Sequence, residues 1–467
     1  MEGEDTFFCV MNGKIIRYDR KDNTCMDLLN LYDFGISPYP SSMNCLCRNE
    51  SKDLVLYTMD GDTPALYIFS EEETVKEGEI QLAQIYGNGM EDIRTLTVRF
   101  SQAHPNLPMK IKSIADADRL YIDMATGKEG PELLWLSEEG YLTLREQGLL
   151  MDLTDLIPEE TKEQIFPSIL QLGTYDSKLT AIAPGTIFTS MIASDKVTQG
   201  DSWSLADFWE RMEEQENLEL PILFAGEPPT YHTLFYQVFF WDPSRFIDLE
   251  NGVCHFDNDD FRRILAFCKK YGVSENTTKV ETADMLRDGR SLANCVSSYV
   301  GIYTFTNTLR EYGDDFHIVG IPTYSSNISS HAATGSGGYL AVSANATHIE
   351  EIREFLTRFL SYDYQCGLLQ PIRKDAIRAI PLPSNYAEDI GDLKDADSAE
   401  AKKILLHWEQ MKEEYIRMAE NSVPYQGQTF GSIMGPELTN YFNDSKSLDE
   451  TIRIITNRVQ LYLNENK

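Results

Sequence analysis

A chain of 467 residues is too long for one ordinary hydrophobic core, so two or more domains are expected. Its 42% hydrophobic and 11% aromatic residues can fill such cores, which argues against disorder, while 74 acidic and 41 basic side chains give a formal charge of -33. A surface of that sign repels phosphate backbones and anionic membranes and so argues against nucleic-acid binding; it does not select among small molecules. Eight cysteines, at 9, 25, 45, 47, 254, 268, 295 and 366, are too sparse for a disulfide-built fold, and the Cys45/Cys47 pair lacks the second pair a metal site would need. No run approaches the roughly 20 apolar residues that cross a bilayer. The opening MEGEDTFF has neither a basic nor an apolar leader region, so the expectation is a cytoplasmic chain, or one whose export segment lies outside it.

Residues 6–75 break into strand-like pieces, TFFCVM, KIIRYD, DLVLYTM and ALYIFS, with turns at Asn12-Gly13, Lys21-Asp22-Asn23 and Asp60-Gly61-Asp62. Two hairpins alone would be marginal. The stretch reads as an antiparallel β module, either part of a propeller or a hairpin layer on the next domain. From Glu79 the pattern alternates: IQLAQIYG as strand, GMEDIRTLTVRFSQAHP as helix stopped by Pro105, PMKIKSI as strand, DADRLYIDMATG as helix ended by Gly127. PELLWLS and EGYLTLREQGLL add a third strand and helix, completing a β-α-β-α-β-α doubly wound order. Glu163–Leu172 reads as a helix, YDSKLTAIAP as a hairpin, and SLADFWERMEEQ as a helix with Ser204 at its N-cap. Further on, FHIVGIPTY is a strand closed by Pro322 and GSGGYLAVSANA a glycine-led turn into a buried strand. IEEIREFLTRFLSYDYQ then carries Ile349, Ile352, Phe355, Leu356, Phe359 and Leu360 at helical spacing. Residues 371–467 read as a mostly helical tail.

Several of these segments, PELLWL followed by GLLMDLTDLI, the YDSKLTAIAP hairpin, FIDLENGVCHFDNDDF, and the 316–370 stretch ending in YDYQ, resemble extracellular solute-binding proteins. These are the carbohydrate-type (family 1) receptors of bacterial ABC importers, the group similar to maltose-binding protein. The resemblance covers residues 79–467. It implies an α/β, two-lobed periplasmic-binding-protein-like fold of type II, here with an N-terminal all-β module over residues 1–75. The first lobe would take residues 79–186 plus 316–368, the second residues 187–315 plus 369–467. It further implies a bacterial, exported, lipid-anchored protein, here lacking a lipobox cysteine, that captures a mono- or oligosaccharide between its lobes and delivers it to a membrane permease. The chain is expected to be monomeric, to need no cofactor and to run no catalytic cycle.

Motifs for chemistry are scarce. None of the seven histidines forms HExxH, no GxSxG or GxxxxGK[ST] occurs, and neither Gly87-Asn88-Gly89 nor Gly335-Ser336-Gly337-Gly338 completes a dinucleotide fingerprint. Asp257, Asp259 and Asp260 suit a helix N-terminus better than a calcium loop. Binding remains. A sugar needs a flat aromatic surface and polar partners for its hydroxyls. Trp241 and Tyr303 are the first stacking candidates, Tyr339 follows the GSGG turn, Asp242 could accept from a hydroxyl, and Arg373, in a P-[VI]-R element typical of the resemblance, has a fixed fork of donors. Trp135 is a further candidate that core packing explains better, and Trp203 reads as a helix staple. Each of the others also has a purely structural alternative. A different class of protein, an interaction protein or sensor that keeps the receptor fold, stays open, with a glycoside-processing enzyme third.

Overall fold

The computed structural model describes residues 6–11, 14–31, 43–60, 63–70, 78–85, 90–128, 130–184, 186–198, 200, 203–239, 243–248, 251–274, 280, 282–298, 301–323, 332–383, 398–424 and 427–465. The turn residues Asn12-Gly13, Gly61-Asp62 and Gly87-Asn88-Gly89 fall outside them.

Alternating side chains build the N-terminal region. β1 (Thr6–Met11), β2 (Lys14–Asp19) and β3 (Thr24–Asn30) form one antiparallel meander, and β4 (Met43–Arg48), β5 (Leu54–Asp60) and β6 (Thr63–Phe69) form another. Asn23, at φ 52°, supplies the left-handed residue that turns β2 into β3. The third strand of the first meander escapes a reading of periodicity because Asp27 interrupts the apolar alternation of TCMDLLN. Phe8, Val10, Ile15, Leu46, Leu54, Leu56, Tyr67 and Phe69 share one small core. The opposite face of the second meander carries the cross-strand rows Cys45–Tyr57–Leu66 and Cys47–Val55–Ile68, with Leu66 and Ile68 more than half exposed.

The chain packs into two units. Unit 1 is Met1–Trp135, Gln147–Met151 and Ala341–Phe359; unit 2 is Leu136–Glu146, Asp152–Leu340 and Leu360–Lys467. After the β module, unit 1 continues through β7 (Ile80–Gln84), α1 (Met90–Ala103), β8 (Met109–Ser113), α2 (Ala117–Ala125) and β9 (Leu133–Leu136). β7 lies parallel between β8 and β9, the arrangement that crossover helices produce. Asp116 caps α2 by accepting from the Arg119 amide, and Gly127 (φ 71°) follows its end, as the sequence predicts.

Unit 2 opens with α3 (Glu138–Glu146), α4 (Glu159–Lys162) and α5 (Pro167–Leu172). The helix expected from Glu163 therefore begins later: Pro167 has no N–H to give an earlier turn, and Phe166 is held extended before it. β10 (Thr174–Tyr175) and β11 (Lys178–Leu179) form the expected hairpin, with Asp176 (φ 47°) and Ser177 (φ 61°) both left-handed at its tip. Next come β12 (Ala181–Ile182), β13 (Thr186–Ser194), α6 (Leu205–Glu214), β14 (Ile222–Phe224), α7 (Tyr231–Phe239), β15 (Ile247–Asp248), β16 (Val253–Cys254), α8 (Asp259–Tyr271) and α9 (Thr282–Arg287). Ser204 caps α6 through a capping box with Asp207, and Asn258 caps α8 just ahead of Asp259 and Asp260. β17 (Ala293–Ser297), α10 (Ile302–Tyr312), β18 (Phe316–Ile318), β19 (Ala333–Ser336) and β20 (Tyr339–Val342) follow. α11 (Ile349–Phe359), which belongs to unit 1, and α12 (Tyr362–Gln365), in unit 2, are the single helix expected over 349–365, broken where Ser361 caps the second piece. α13 (Lys374–Ala379), α14 (Ala399–Glu420), β21 (Val423–Pro424), α15 (Gly427–Phe442) and α16 (Leu448–Glu465) form the helical tail.

The main sheet of unit 2 runs β14-β17-β13-β19-β21, with β18 also against β13. β13 is its spine, antiparallel to β17, β18 and β19. Phe208, Phe235, Phe239, Phe246, Phe256 and Phe261 are among the fully buried residues of its large core.

Candidate functional site

The sequence candidates occupy different surroundings. Trp241 and Asp242 lie outside the described residues. Trp135, on β9 in unit 1, is buried, and its carbonyl accepts from the Ile85 amide. In unit 2, Tyr303 on α10 lies parallel to Trp408 with ring centroids 6.1 Å apart. Arg373, just before α13, donates from Nε and a terminal nitrogen to the two oxygens of Asp375 (2.9 and 2.6 Å) and from the other terminal nitrogen to the Leu360 carbonyl (3.0 Å). Tyr339, the first residue of β20, stacks on Tyr141 with centroids 4.4 Å apart and planes at 10°. These partners form separate sets. Trp203 is buried against the α6 entry and donates its indole N–H to the Gly320 carbonyl at 3.1 Å.

The Tyr339–Tyr141 stack belongs to a cluster that sequence reasoning only half finds. α3 starts where Ser137 Oγ accepts the Gly140 amide (3.2 Å), which sets Glu138 in the first turn and Tyr141 and Arg145 one turn apart. The Arg145 guanidinium lies over the rings of Tyr141 (5.3 Å) and Tyr175 (4.7 Å), tying α3 to the β10–β11 hairpin. The Tyr141 hydroxyl donates to Thr180 Oγ1 (3.0 Å), which donates onward to the Gly173 carbonyl (3.2 Å). That chain depends on glycine at 173, because a Cβ there would sit 1.9 Å from the Ala181 carbonyl oxygen.

Two polar groups of this cluster have no hydrogen bond among the described residues. The half-buried Glu138 carboxyl is raised to about 7 because burial disfavours its charge more than Arg145 restores it. The Tyr339 phenol is pushed far up by burial and then by the negative charge of Glu138; the residue is only 2% exposed. A desolvated donor and a desolvated acceptor that feel each other's charge are groups that a polar ligand could satisfy. The sequence does hold a signal for it: after the four buried residues of β9 only Ser137 precedes Glu138 and Glu139, and in open α/β sheets ligands meet the carboxyl ends of strands.

An open groove of unit 2, about 870 Å³, runs beside α14 but is a weaker candidate. Its charges already have partners. Glu413 accepts from Arg378 (2.8 and 3.1 Å), Glu409 pairs with Lys412 (2.8 Å), and His317 meets Asp195 (2.8 Å) and the Gly200 carbonyl (3.1 Å). Glu414 is raised by burial yet accepts from the Ile318 amide. Among the described residues no group of three or more His, Cys, Asp or Glu side chains could hold a metal, and no helix is long and apolar enough to cross a membrane.

No family model matches the chain, and no curated protein matches it by sequence. Among solved structures it is similar to the sugar-binding protein MalE from the phytopathogen Xanthomonas citri, with a TM-score of 0.56 and 12% identity over 83% of this chain and 98% of that one. At that identity the likeness is one of fold. The chain thus has a two-domain α/β architecture with mixed sheets, of the periplasmic-binding-protein kind predicted from its sequence, and carries an antiparallel β region at its N-terminal end.

Proposed function

We propose that this protein is the substrate-binding component of an ABC importer, an exported and lipid-anchored receptor that captures a mono- or oligosaccharide and delivers it to a permease without catalysis. The fold likeness to a sugar-binding protein supports the class. The observation that carries the reading is the pair of unsatisfied polar groups at the α3–β20 cluster, the Glu138 carboxyl and the Tyr339 hydroxyl. A sugar presents neighbouring hydroxyls, each a donor and an acceptor, so one can donate to Glu138 while another accepts from Tyr339. With its ring face taken by Tyr141, Tyr339 acts through its hydroxyl edge, while the hairpin residue Tyr175, 39% exposed, offers aromatic surface at the rim.

The test is a thermal-shift screen of the full chain against mono- and oligosaccharides, with amino acids and polyamines as controls. A ligand that binds only the native state raises the melting temperature with concentration. A shift confined to one sugar class, reduced about tenfold in affinity by Tyr339→Phe, supports the reading; each lost hydrogen bond to a buried partner is worth about 1.4 kcal/mol. Cooperative melting with no shift for any sugar would sink it in favour of an interaction protein that keeps the receptor fold.

A further inference from the structure

An antiparallel sheet with one face in water alternates apolar and polar residues along its strands. The second meander of the β module does not. Leu46, Leu54, Leu56, Tyr67 and Phe69 point into the small core shared with the first meander, yet the residues between them are apolar or sulfur-bearing as well. Cys45–Tyr57–Leu66 and Cys47–Val55–Ile68 run as two rows across the outer face without a charged side chain, and Leu66 and Ile68 stay 62% and 57% exposed. The outer face of the first meander shows the contrast, because the ion pair of Lys14 and Asp27 lies on it. Cysteine, valine, leucine and isoleucine side by side are the composition of an interior, and such a patch on a surface marks a contact.

Two features of the face choose its occupant. With a net charge of -33, two copies of this chain repel each other wherever acidic surfaces meet, so an uncharged face is where they can touch. Side-chain size also grades across the sheet, from the cysteines of β4 to the leucine and isoleucine of β6. A twofold axis parallel to β5 reverses that gradient in the copy opposite and sets large side chains over small ones, as interdigitating layers require. We propose that this face pairs with the same face of a second copy of the chain, Leu66 and Ile68 of each covering Cys45 and Cys47 of the other. At standard spacings three strands of six or seven residues present about 300 Å² per copy. The pair covers about 600 Å², less than the roughly 1,000 Å² of a stable interface, so the dimer forms and parts with concentration. This goes beyond the receptor reading and departs from the monomer expected of that class.

The experiment is sedimentation velocity of the full chain from about 1 µM to about 1 mM, at low and at moderate salt, with thiol alkylation of the same samples read by mass. The chain should pass from monomer to dimer within that range. Salt should raise the dimer fraction, because it screens the repulsion between acidic bodies and no charge pair holds the face together. Alkylation of Cys45 and Cys47 should slow in step with the dimer fraction, while Cys366, outside the module, keeps its rate. Ile68→Glu should weaken the dimer at least about tenfold, because it buries a charge without a partner. Leu461→Glu, at an equally exposed position of α16, should leave it unchanged. A monomer at every concentration would overturn the proposal and leave the face to a different partner. So would a dimer that Ile68→Glu does not weaken, one that salt dissolves, or one that leaves both thiols freely reactive. Should Ile68→Glu not fold, the salt dependence and thiol protection of the wild type decide alone.

Discussion

The two ends of the short stretch around β9 hold glutamates six positions apart with opposite fates. Glu132, ahead of the strand in unit 1, is surrounded by donors: the Thr347 hydroxyl (2.8 Å), the His348 amide (3.2 Å) and the His348 ring Nδ1 (2.8 Å). Burial alone would raise its carboxyl, but those donors outweigh it and hold the group below its ordinary value. Glu138, after the strand in unit 2, is also drawn from water but has no donor, and it rises to about 7. Glu138 is the more deeply buried of the two, so depth adds to the difference. The chain also supplies hydrogen bonds to Glu132 and, among the described residues, none to Glu138, and a carboxyl left without them is available to a ligand.

The largest effect should come from removing the satisfied member. Glu132→Ala leaves the Thr347 hydroxyl and the His348 ring without their acceptor, and unit 1 should lose about 2 kcal/mol, read by urea unfolding. A loss no greater than a typical surface substitution, about half a kcal/mol, would mean that water replaces the carboxylate and the contrast is not energetic. A depressed carboxyl stabilises the fold above its ordinary titration range and loses that contribution as pH falls through its lowered value. The wild type should therefore lose stability on acidification below about pH 4.5, with a smaller loss in Glu132→Gln. Glu138 runs the other way: its raised value lowers stability progressively between about pH 4.5 and 7, so Glu138→Gln should gain up to about 1 kcal/mol at and above neutrality and nothing below the ordinary carboxyl range. Tyr339→Phe should be smallest in stability, within about half a kcal/mol, because the hydroxyl it removes has no partner among the described residues. A large fall in its melting temperature would show that the hydroxyl holds the stack together, and would weaken its assignment to a ligand.

The fold is legible where backbone punctuation is strong. Pro105, Gly127 and the alternation from Glu79 predict β7 through α3 in order, and Ser204 predicts the start of α6. Reading fails where one residue overrules a periodic pattern. Pro167 moves a helix start, Ser361 splits an amphipathic run, and Asp27 hides a strand whose partners lie along the chain on one side only. The site is half legible. Tyr339 follows from the GSGG turn that leads into β20, but Tyr141 and Arg145 look like ordinary positions of an amphipathic helix. Their meaning depends on a hairpin and a strand far along the sequence, and periodicity within one helix carries no record of those neighbours. Likewise nothing local reveals that Arg373 folds back onto Asp375 and the Leu360 carbonyl.

The cysteines divide the molecule as a chemist would wish to label it. Cys9, Cys25, Cys45 and Cys47 of the β module and Cys366 are exposed, while Cys254, Cys268 and Cys295 are buried in unit 2. Burial pushes the Cys254 thiol to about 11 and raises the other two well above the ordinary thiol value, so none of the three offers a thiolate near neutrality. A mild alkylating reagent should mark the five exposed thiols of the native protein, and the remaining three only when unit 2 opens. The chain thus carries its own reporter: the modification rate of those three thiols, followed by mass, measures the opening of the unit that holds Glu138 and Tyr339, and a solute bound there would slow it.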